Sequence, residues 1–104
     1  MKKINIPFTD WSKEHIRYGL KCATTRTKKY GNKGDYFYVD DIKYRLVEVK
    51  KLRLSFITYY LYDKEGAESP EEFIKVWNEI HPIKGYEEQQ FDLFWYHRFE
   101  KVKK

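Results

Sequence analysis

The chain has 104 residues, a length that allows one domain with a substantial core and excludes two. Its 21 lysines and arginines against 16 aspartates and glutamates give a formal charge of +5, which favours contact with polyanions without requiring it. No apolar run has the length of a membrane span or a signal peptide, and the single Cys22 excludes an intrachain disulfide and a multi-cysteine metal site. We therefore expect one domain over residues 1–104, cytoplasmic and monomeric, with no membrane contact, metal ion or cofactor.

The first predicted helix lies near the N-terminus. Residues 4–8 form a short apolar entry compatible with an edge strand, and Thr9 or Asp10 is suited to cap the helix that follows. Between Trp11 and about residue 20, aromatic and apolar residues recur at helical spacing with charged residues between them. Gly19 is placed to end this helix, because glycine enters the left-handed region without steric cost.

The stretch after this helix gathers an amine, two hydroxyls and a guanidinium within a few residues. Thr24 and Thr25 are β-branched and favour an extended chain. In a regular strand Thr24 and Arg26 share one face, whereas Lys21 falls on the other. Lys21 therefore reaches Thr24 only if the chain is still turning before the strand begins.

Residues 27–35 form a basic loop that is rich in turn residues and should be exposed. Lys28 and Lys29 beside Tyr30 suit contact with phosphates and stacking on a base. An ordinary solvated turn explains the same composition equally well. Tyr96, in the last predicted strand, is a second candidate for stacking on a base.

A β-hairpin is predicted for residues 36–39 and 42–50, joined by the turn Asp40-Asp41. The apolar alternation changes phase near Leu46, which predicts either a bulge or a strand buried on both faces. The alternation then extends to Phe56. Residues 56–62 are ambiguous between strand and helix.

A second long helix is predicted to begin at Ser69, because Ser69 and Glu72 have the spacing of a capping box and Pro70 fits the first helical position. It should end near residue 80 and bury a stripe formed by Phe73, Val76, Trp77 and Ile80. After a polar connection over residues 83–90, residues 91–102 predict a final strand with apolar side chains on both faces. His81 and His97 are interpreted as structural.

The helix-to-strand junction resembles the signature of the ASCH domain, a small β-barrel family within the PUA-like superfamily. Gly19, Lys21, Thr24 and Arg26 match its pattern G-x-K-x-x-T-x-R at every fixed position. The order of the surrounding features also follows the family, namely the preceding helix, the Lys33-Gly34-Asp35 turn, and Glu65-Gly66 ahead of a Ser-Pro-Glu-Glu-Phe helix. The resemblance implies an α+β fold, a PUA-like small β-barrel with flanking α-helices.

The same resemblance implies an activity, because some ASCH proteins of about this length are amidohydrolases that remove the acetyl group from N4-acetylcytidine. Their lysine, threonine and glutamate correspond to Lys21, Thr24 and Glu65, with Glu68 as the alternative for the glutamate. In one scheme Thr24 is the nucleophile, Lys21 the base that takes its proton, and Glu65 the acid that protonates the leaving amine. In another, a charged Lys21 stabilises the oxyanion while Glu65 activates water.

Two further functions are compatible with the sequence. PUA-like domains commonly bind RNA, so the chain is alternatively a non-catalytic RNA-binding module. Ribonuclease activity is a third hypothesis, since a lysine and a glutamate also serve phosphodiester cleavage. The partner is accordingly a modified nucleoside or RNA, and its contacts are expected at Thr25, Arg26, Lys28, Lys29, Tyr30 and Tyr96.

Overall fold

The structure is a computed structural model that describes residues 1–103. These residues form four helices and four strands. In chain order they are α1 (Asp10–Arg17), β1 (Ala23–Arg26), β2 (Tyr36–Val39), β3 (Ile42–Arg53), α2 (Leu54–Tyr60), α3 (Pro70–Ile80), α4 (Tyr86–Gln89) and β4 (Leu93–Lys101). No helix in this part of the chain combines the length and the apolar character needed to cross a bilayer.

The strands form one antiparallel sheet in the order β1-β4-β3-β2, curled into a half-barrel. The last strand therefore lies between β1 and β3, which explains why apolar side chains occupy both of its faces. Phe94 and Tyr96 join a core cluster with Trp77, whereas Phe99 joins a second cluster with Phe37. The predicted α+β architecture, a barrel-like sheet with flanking helices, is confirmed.

The predicted hairpin is also confirmed. Strand β2 pairs with the first residues of β3, and Asp40 and Asp41 both adopt positive φ, +49° and +69°. Two consecutive positive φ values are what a two-residue hairpin turn of the I′ kind requires, and aspartate tolerates them better than most residues. The register of β3 against β4 shifts between Leu46 and Glu48, which is the predicted bulge.

The strand pattern predicted to continue as far as Phe56 is wrong, because the chain enters helix α2 at Leu54. Leu54, Ile57 and Thr58 are the buried residues of this segment, and their spacing is helical. Phe56 is 45% exposed. A short apolar run fits both periods, and packing against α3 selects the helix here.

Other boundaries differ in detail. The N-terminal entry is not a strand, since only Lys3 forms an isolated bridge, with Tyr36. Helix α1 ends at Arg17, earlier than the periodicity predicts, and the polar connection before β4 contains the short helix α4. Thr9 rather than Asp10 caps α1, and its hydroxyl accepts from the backbone N–H of Ser12 at 3.2 Å.

Helix α3 begins where the sequence predicts, and its cap is well defined. The Ser69 hydroxyl accepts from the backbone N–H of Glu72 at 3.1 Å, and Pro70 occupies the first turn. The Glu72 carboxylate accepts from the N–H of Glu68, at 3.0 Å, instead of from the capping serine. In a capping box the Glu72 carboxylate would accept from the N–H of Ser69, and here it accepts from the preceding residue instead. It still satisfies a backbone N–H next to the helix start.

We expect Ser69→Ala to lower the free energy of unfolding by about 1 kcal/mol, because it removes the hydroxyl that satisfies a free N–H of the first turn. Ser69→Asp keeps an acceptor at the cap and serves as the matched control, with stability close to the original. Urea unfolding of the three proteins measures the difference. Equal midpoints for Ser69→Ala and the unmodified protein would show that the cap does not stabilise α3.

Candidate functional site

The junction between α1 and β1 holds Lys21 in a turn. Gly19 has φ +75°, and the backbone N–H groups of Leu20 and Lys21 both donate to the His15 carbonyl, at 2.8 and 3.1 Å. These bonds satisfy a carbonyl at the helix end while the chain reverses. Lys21 thus precedes the extended segment, which begins at Ala23, as the predicted approach of Lys21 to Thr24 requires.

A turn between α2 and α3 docks against this junction. The backbone N–H groups of Cys22 and Ala23 donate to the Lys64 carbonyl, at 2.7 and 2.9 Å. The next residue, Glu65, is 6% exposed, and Gly66 follows with φ +94°. A carboxylate distant in sequence is therefore brought beside Lys21.

Lys21, Thr25 and Glu65 form a buried hydrogen-bonded group, each less than a tenth exposed. The Lys21 ammonium donates to the Glu65 carbonyl at 3.0 Å and to its Oε1 at 3.4 Å. The Thr25 hydroxyl donates to Glu65 Oε2 at 2.8 Å. Burial lowers the pKa of Lys21, and the nearby Glu65 carboxylate only partly opposes this shift.

Thr24 is held differently, on the opposite face of β1. Its hydroxyl accepts from Arg26 Nε at 3.0 Å, and Arg26 Nη2 donates to the Pro7 carbonyl at 2.6 Å. The guanidinium also lies 5.1 Å from the ring centroid of Phe8 and 5.6 Å from that of Tyr30. Two hydrogen bonds and two rings therefore fix the positive charge beside the Thr24 oxygen.

These groups share one cavity of about 280 Å³. Helix α3 and the segment around the start of α1 form its other walls. Of the predicted site residues it is lined by Lys21, Thr24, Thr25, Arg26, Tyr30 and Glu65. Lys21 and Thr24 both line the cavity. Within residues 1–103, the Lys21 ammonium donates its hydrogen bonds to Glu65 and none to Thr24.

Three predicted residues lie outside the cavity lining. Lys28 and Lys29 are exposed, and their ammonium groups lie over rings, 4.6 Å from the Tyr30 centroid and 5.2 Å from that of Trp95. Tyr96 is 1% exposed within the core, so its predicted stacking on a base is wrong. Burial, helped by the Glu65 charge, also raises the pKa of its hydroxyl.

Glu68, the alternative carboxylate, is exposed and does not line the cavity. Within residues 1–103 no group of three or more histidine, cysteine, aspartate or glutamate side chains is arranged to hold a metal ion. The acidic group of the cavity is therefore Glu65, in direct contact with Lys21.

Sequence analysis missed the apolar wall of the cavity. The stripe of α3 that was assigned to the core also faces the cavity, and Trp11 does so from α1. The wall includes Trp11, Phe73, Val76, Trp77, Ile80 and His81. The sequence held one signal, because the predicted stripe extends as far as Ile80. In the structure Ile80 lies in the last turn of α3, is 49% exposed and is not covered by the core.

No protein-family model and no curated protein matches the chain. Comparison with solved structures does find relatives in fold. The hypothetical protein PH0355 superposes with a TM-score of 0.69 at 17% identity, covering 98% of this chain and 100% of that one. An ASCH domain from Lactobacillus crispatus JV V101 gives a TM-score of 0.65 at 13% identity, covering 96% of this chain and 78% of that one.

Protein PF0455 from Pyrococcus furiosus gives a TM-score of 0.58 at 14% identity over 99% of this chain and 96% of that one. The chain has the fold of an ASCH domain. The predicted PUA-like fold is thereby confirmed, realised as a half-barrel. In this ASCH fold the α1–β1 junction, where Lys21 and Thr24 lie, forms part of the cavity.

A buried histidine links the strand that carries Thr24 to the loop over the cavity. His97 is 0% exposed, its Nδ1 lies 3.2 Å from the Thr24 carbonyl oxygen, and the backbone N–H of Tyr30 donates to its Nε2 at 3.1 Å. Because a carbonyl only accepts and an N–H only donates, Nδ1 carries the proton and the ring is neutral. Burial lowers the pKa of His97, and the bond to the Thr24 carbonyl opposes this shift.

This arrangement predicts a pH dependence of stability. Below about pH 6.5, the pKa of an unfolded histidine, the unfolded chain gains a proton that the folded His97 resists, so the free energy of unfolding falls as the pH falls. We expect this fall to be shallower in His97→Gln, by at most about 1.4 kcal/mol per pH unit. Urea unfolding between about pH 7 and about pH 5 tests it, and identical slopes in the two proteins would contradict it.

Proposed function

We propose that residues 1–104 are one domain of the ASCH family, and that it is an amidohydrolase removing the acetyl group from N4-acetylcytidine or a related modified nucleoside. The observation that supports this is the convergence of an amine, a hydroxyl and a carboxyl on one cavity, from Lys21, Thr24 and Glu65. Amide hydrolysis needs a base, a nucleophile and an acid, and these three groups supply them.

The hydrogen bonds of the two threonines favour Thr24 as the nucleophile. The Thr25 hydroxyl donates a hydrogen bond to Glu65, so its role is to orient the carboxylate. The Thr24 hydroxyl accepts from Arg26, which leaves its own proton available for transfer. The fixed guanidinium also favours the negative charge that develops on Thr24 Oγ1 during attack.

The Lys21–Glu65 contact is the source of both the base and the acid. Transfer of one proton from the ammonium to the carboxylate, over 3.4 Å, turns the ion pair into a neutral amine and a neutral acid. Burial disfavours the charged form of the Lys21 amine. The lowered pKa of Lys21 is in the direction that this transfer requires.

In the first half-reaction the neutral Lys21 takes the proton of Thr24, whose oxygen attacks the acetyl carbonyl carbon. The carbon–nitrogen bond then breaks as Glu65 protonates the leaving amine. Cytidine departs, the acetyl group is on Thr24 as an ester, and Lys21 and Glu65 are again an ion pair. Each proton taken up by one group is matched by one released from the other.

In the second half-reaction the Glu65 carboxylate takes a proton from water, and the water oxygen attacks the ester carbon. Thr24 leaves with the proton of the Lys21 ammonium, which frees acetic acid and restores the neutral pair. The two halves use the same two groups in reversed roles, as microscopic reversibility requires. No external base or acid is needed for the cycle.

We expect the unmodified protein to release acetate from N4-acetylcytidine and Thr24→Val to release none, because valine keeps the shape and removes the nucleophile. Glu65→Gln should lower kcat by about 10²–10⁴-fold through the loss of the proton donor. Lys75→Ala, an exposed change on α3 away from the cavity, is the control and should leave kcat unchanged. Acetate is measured by a coupled assay on proteins whose circular dichroism matches the original.

Wild-type rates in Thr24→Val would contradict the mechanism. The second candidate function is RNA binding without catalysis, and the exposed lysines over Tyr30 and Trp95 favour it, since rings beside cations bind bases and phosphates. No acetate release, together with salt-dependent RNA binding that Lys28→Ala and Lys29→Ala weaken and Lys75→Ala does not, would support that module instead.

A further inference from the structure

Two tryptophan–histidine pairs flank the cavity, one on α1 and one at the end of α3. His15 stacks on Trp11 with ring centroids 3.8 Å apart, and His81 stacks on Trp77 at 4.0 Å. In each pair the histidine follows the tryptophan by four residues, and its Nδ1 bonds the tryptophan carbonyl, at 2.7 and 3.1 Å. The stacking and the hydrogen bond together fix each ring pair as a rigid unit.

The two tryptophans differ in what surrounds them. Trp77 is 6% exposed, its indole N–H donates to Gln89 at 3.1 Å, and the Phe94 ring packs edge-on at 5.1 Å. Trp77 is therefore mainly a core residue whose edge reaches the cavity. Trp11 is only partly buried and lines the cavity together with Lys21 and Glu65, while His15 stacks on one face of its ring. Part of the Trp11 side chain therefore borders the cavity, where a planar group can contact it.

Trp11 lies next to the polar groups of the cavity. A Cβ added to Gly66 would lie 3.5 Å from Trp11 Cη2 and 3.0 Å from Lys21 Cβ, so the indole edge and the lysine converge on the same glycine. Gly66 directly follows Glu65. A ring that stacks on Trp11 is therefore held beside the Lys21–Glu65 pair, which is where an amide on that ring must lie to be cleaved.

We propose that Trp11 is the residue on which the planar ring of the substrate stacks, and that it selects heteroaromatic amides over amides without a ring. This inference rests on the proposed amide hydrolysis and names the part of the substrate that the cavity recognises. Stacking of a base on an aromatic side chain gives about 1–3 kcal/mol, or about 5- to 150-fold in affinity at about 1.4 kcal/mol per tenfold. Trp11 thus acts on binding, and Lys21, Thr24 and Glu65 act on the bond that breaks.

The test uses cytidine, the unreactive product, so that it does not depend on turnover. We expect Trp11→Leu to weaken cytidine binding by about 5- to 150-fold and Trp11→Phe, which keeps an aromatic face, by much less. Tyr18→Leu is the matched control, since it removes an exposed ring of the same segment outside the cavity, and it should bind cytidine normally. For N4-acetylcytidine, KM should rise in Trp11→Leu with a smaller change in kcat.

A measurement on the unmodified protein keeps the proposal testable if Trp11→Leu fails to fold. The indole N–H resonance of Trp11 should shift saturably as cytidine is added, and ribose alone should not shift it. Normal cytidine binding by folded Trp11→Leu, or an unmoved Trp11 resonance at saturating cytidine, would overturn the proposal. If cytidine binds through Trp11 but no acetate is released from N4-acetylcytidine, the stacking role stands and the amidohydrolase proposal fails.

Discussion

The site depends on one contact, the buried approach of the Lys21 ammonium to the Glu65 carboxylate at 3.4 Å. Removing two charges from water costs several kcal/mol for each ion, and their attraction offsets this only when further hydrogen bonds complete the geometry. Here Thr25 donates to the carboxylate, and Lys21 also donates to the Glu65 carbonyl. Such a pair is weak evidence for stability, because an apolar replacement often serves as well. We therefore propose a functional role for it.

Several backbone features hold Lys21 and Glu65 together. Lys21 and Glu65 are 44 residues apart, and two backbone N–H groups donating to Lys64 hold their segments together. Gly66 makes this approach possible, because its φ of +94° is unfavourable for other residues and a Cβ there would lie 3.0 Å from Lys21. The half-barrel thus provides a rigid strand, β1, and the turn before α3 adds the carboxylate to it.

Local chemistry made much of the fold predictable. The Asp40-Asp41 turn and the Ser69 cap act within a few residues, so the sequence identifies the hairpin and the start of α3. Helix α2 was ambiguous because a short apolar run fits both periods, and only packing decides between them. Periodicity also does not distinguish a side chain that faces the core from one that lines a cavity, which is why Tyr96 was assigned to the ligand although it lies in the core.

The site itself was less accessible to residue-level reasoning. Spacing predicted that Lys21 reaches the face of Thr24 only through a turn. Gly19 provides a turn, and the Lys21 ammonium bonds Glu65, which also accepts from Thr25. The pairing of Lys21 with Glu65 is a long-range contact, and the resemblance to the ASCH signature, not any local pattern, pointed to it. The hydrogen bond of Thr25 depends on tertiary packing, which brings Glu65 to β1, whereas Thr24 bonds Arg26, two residues along the same face of the strand.

The central claim is that Thr24 carries the acetyl group between the two half-reactions. An activated acetyl ester tests it most directly, because its leaving group departs without a proton and Glu65 is then needed only for the second half. Incubation of Glu65→Gln with this ester, followed by peptide mass spectrometry, should find an acetyl group on Thr24, and none there in Glu65→Gln with Thr24→Val. Hydrolysis of the ester at the cavity with Thr24 unmodified in every variant would contradict the account.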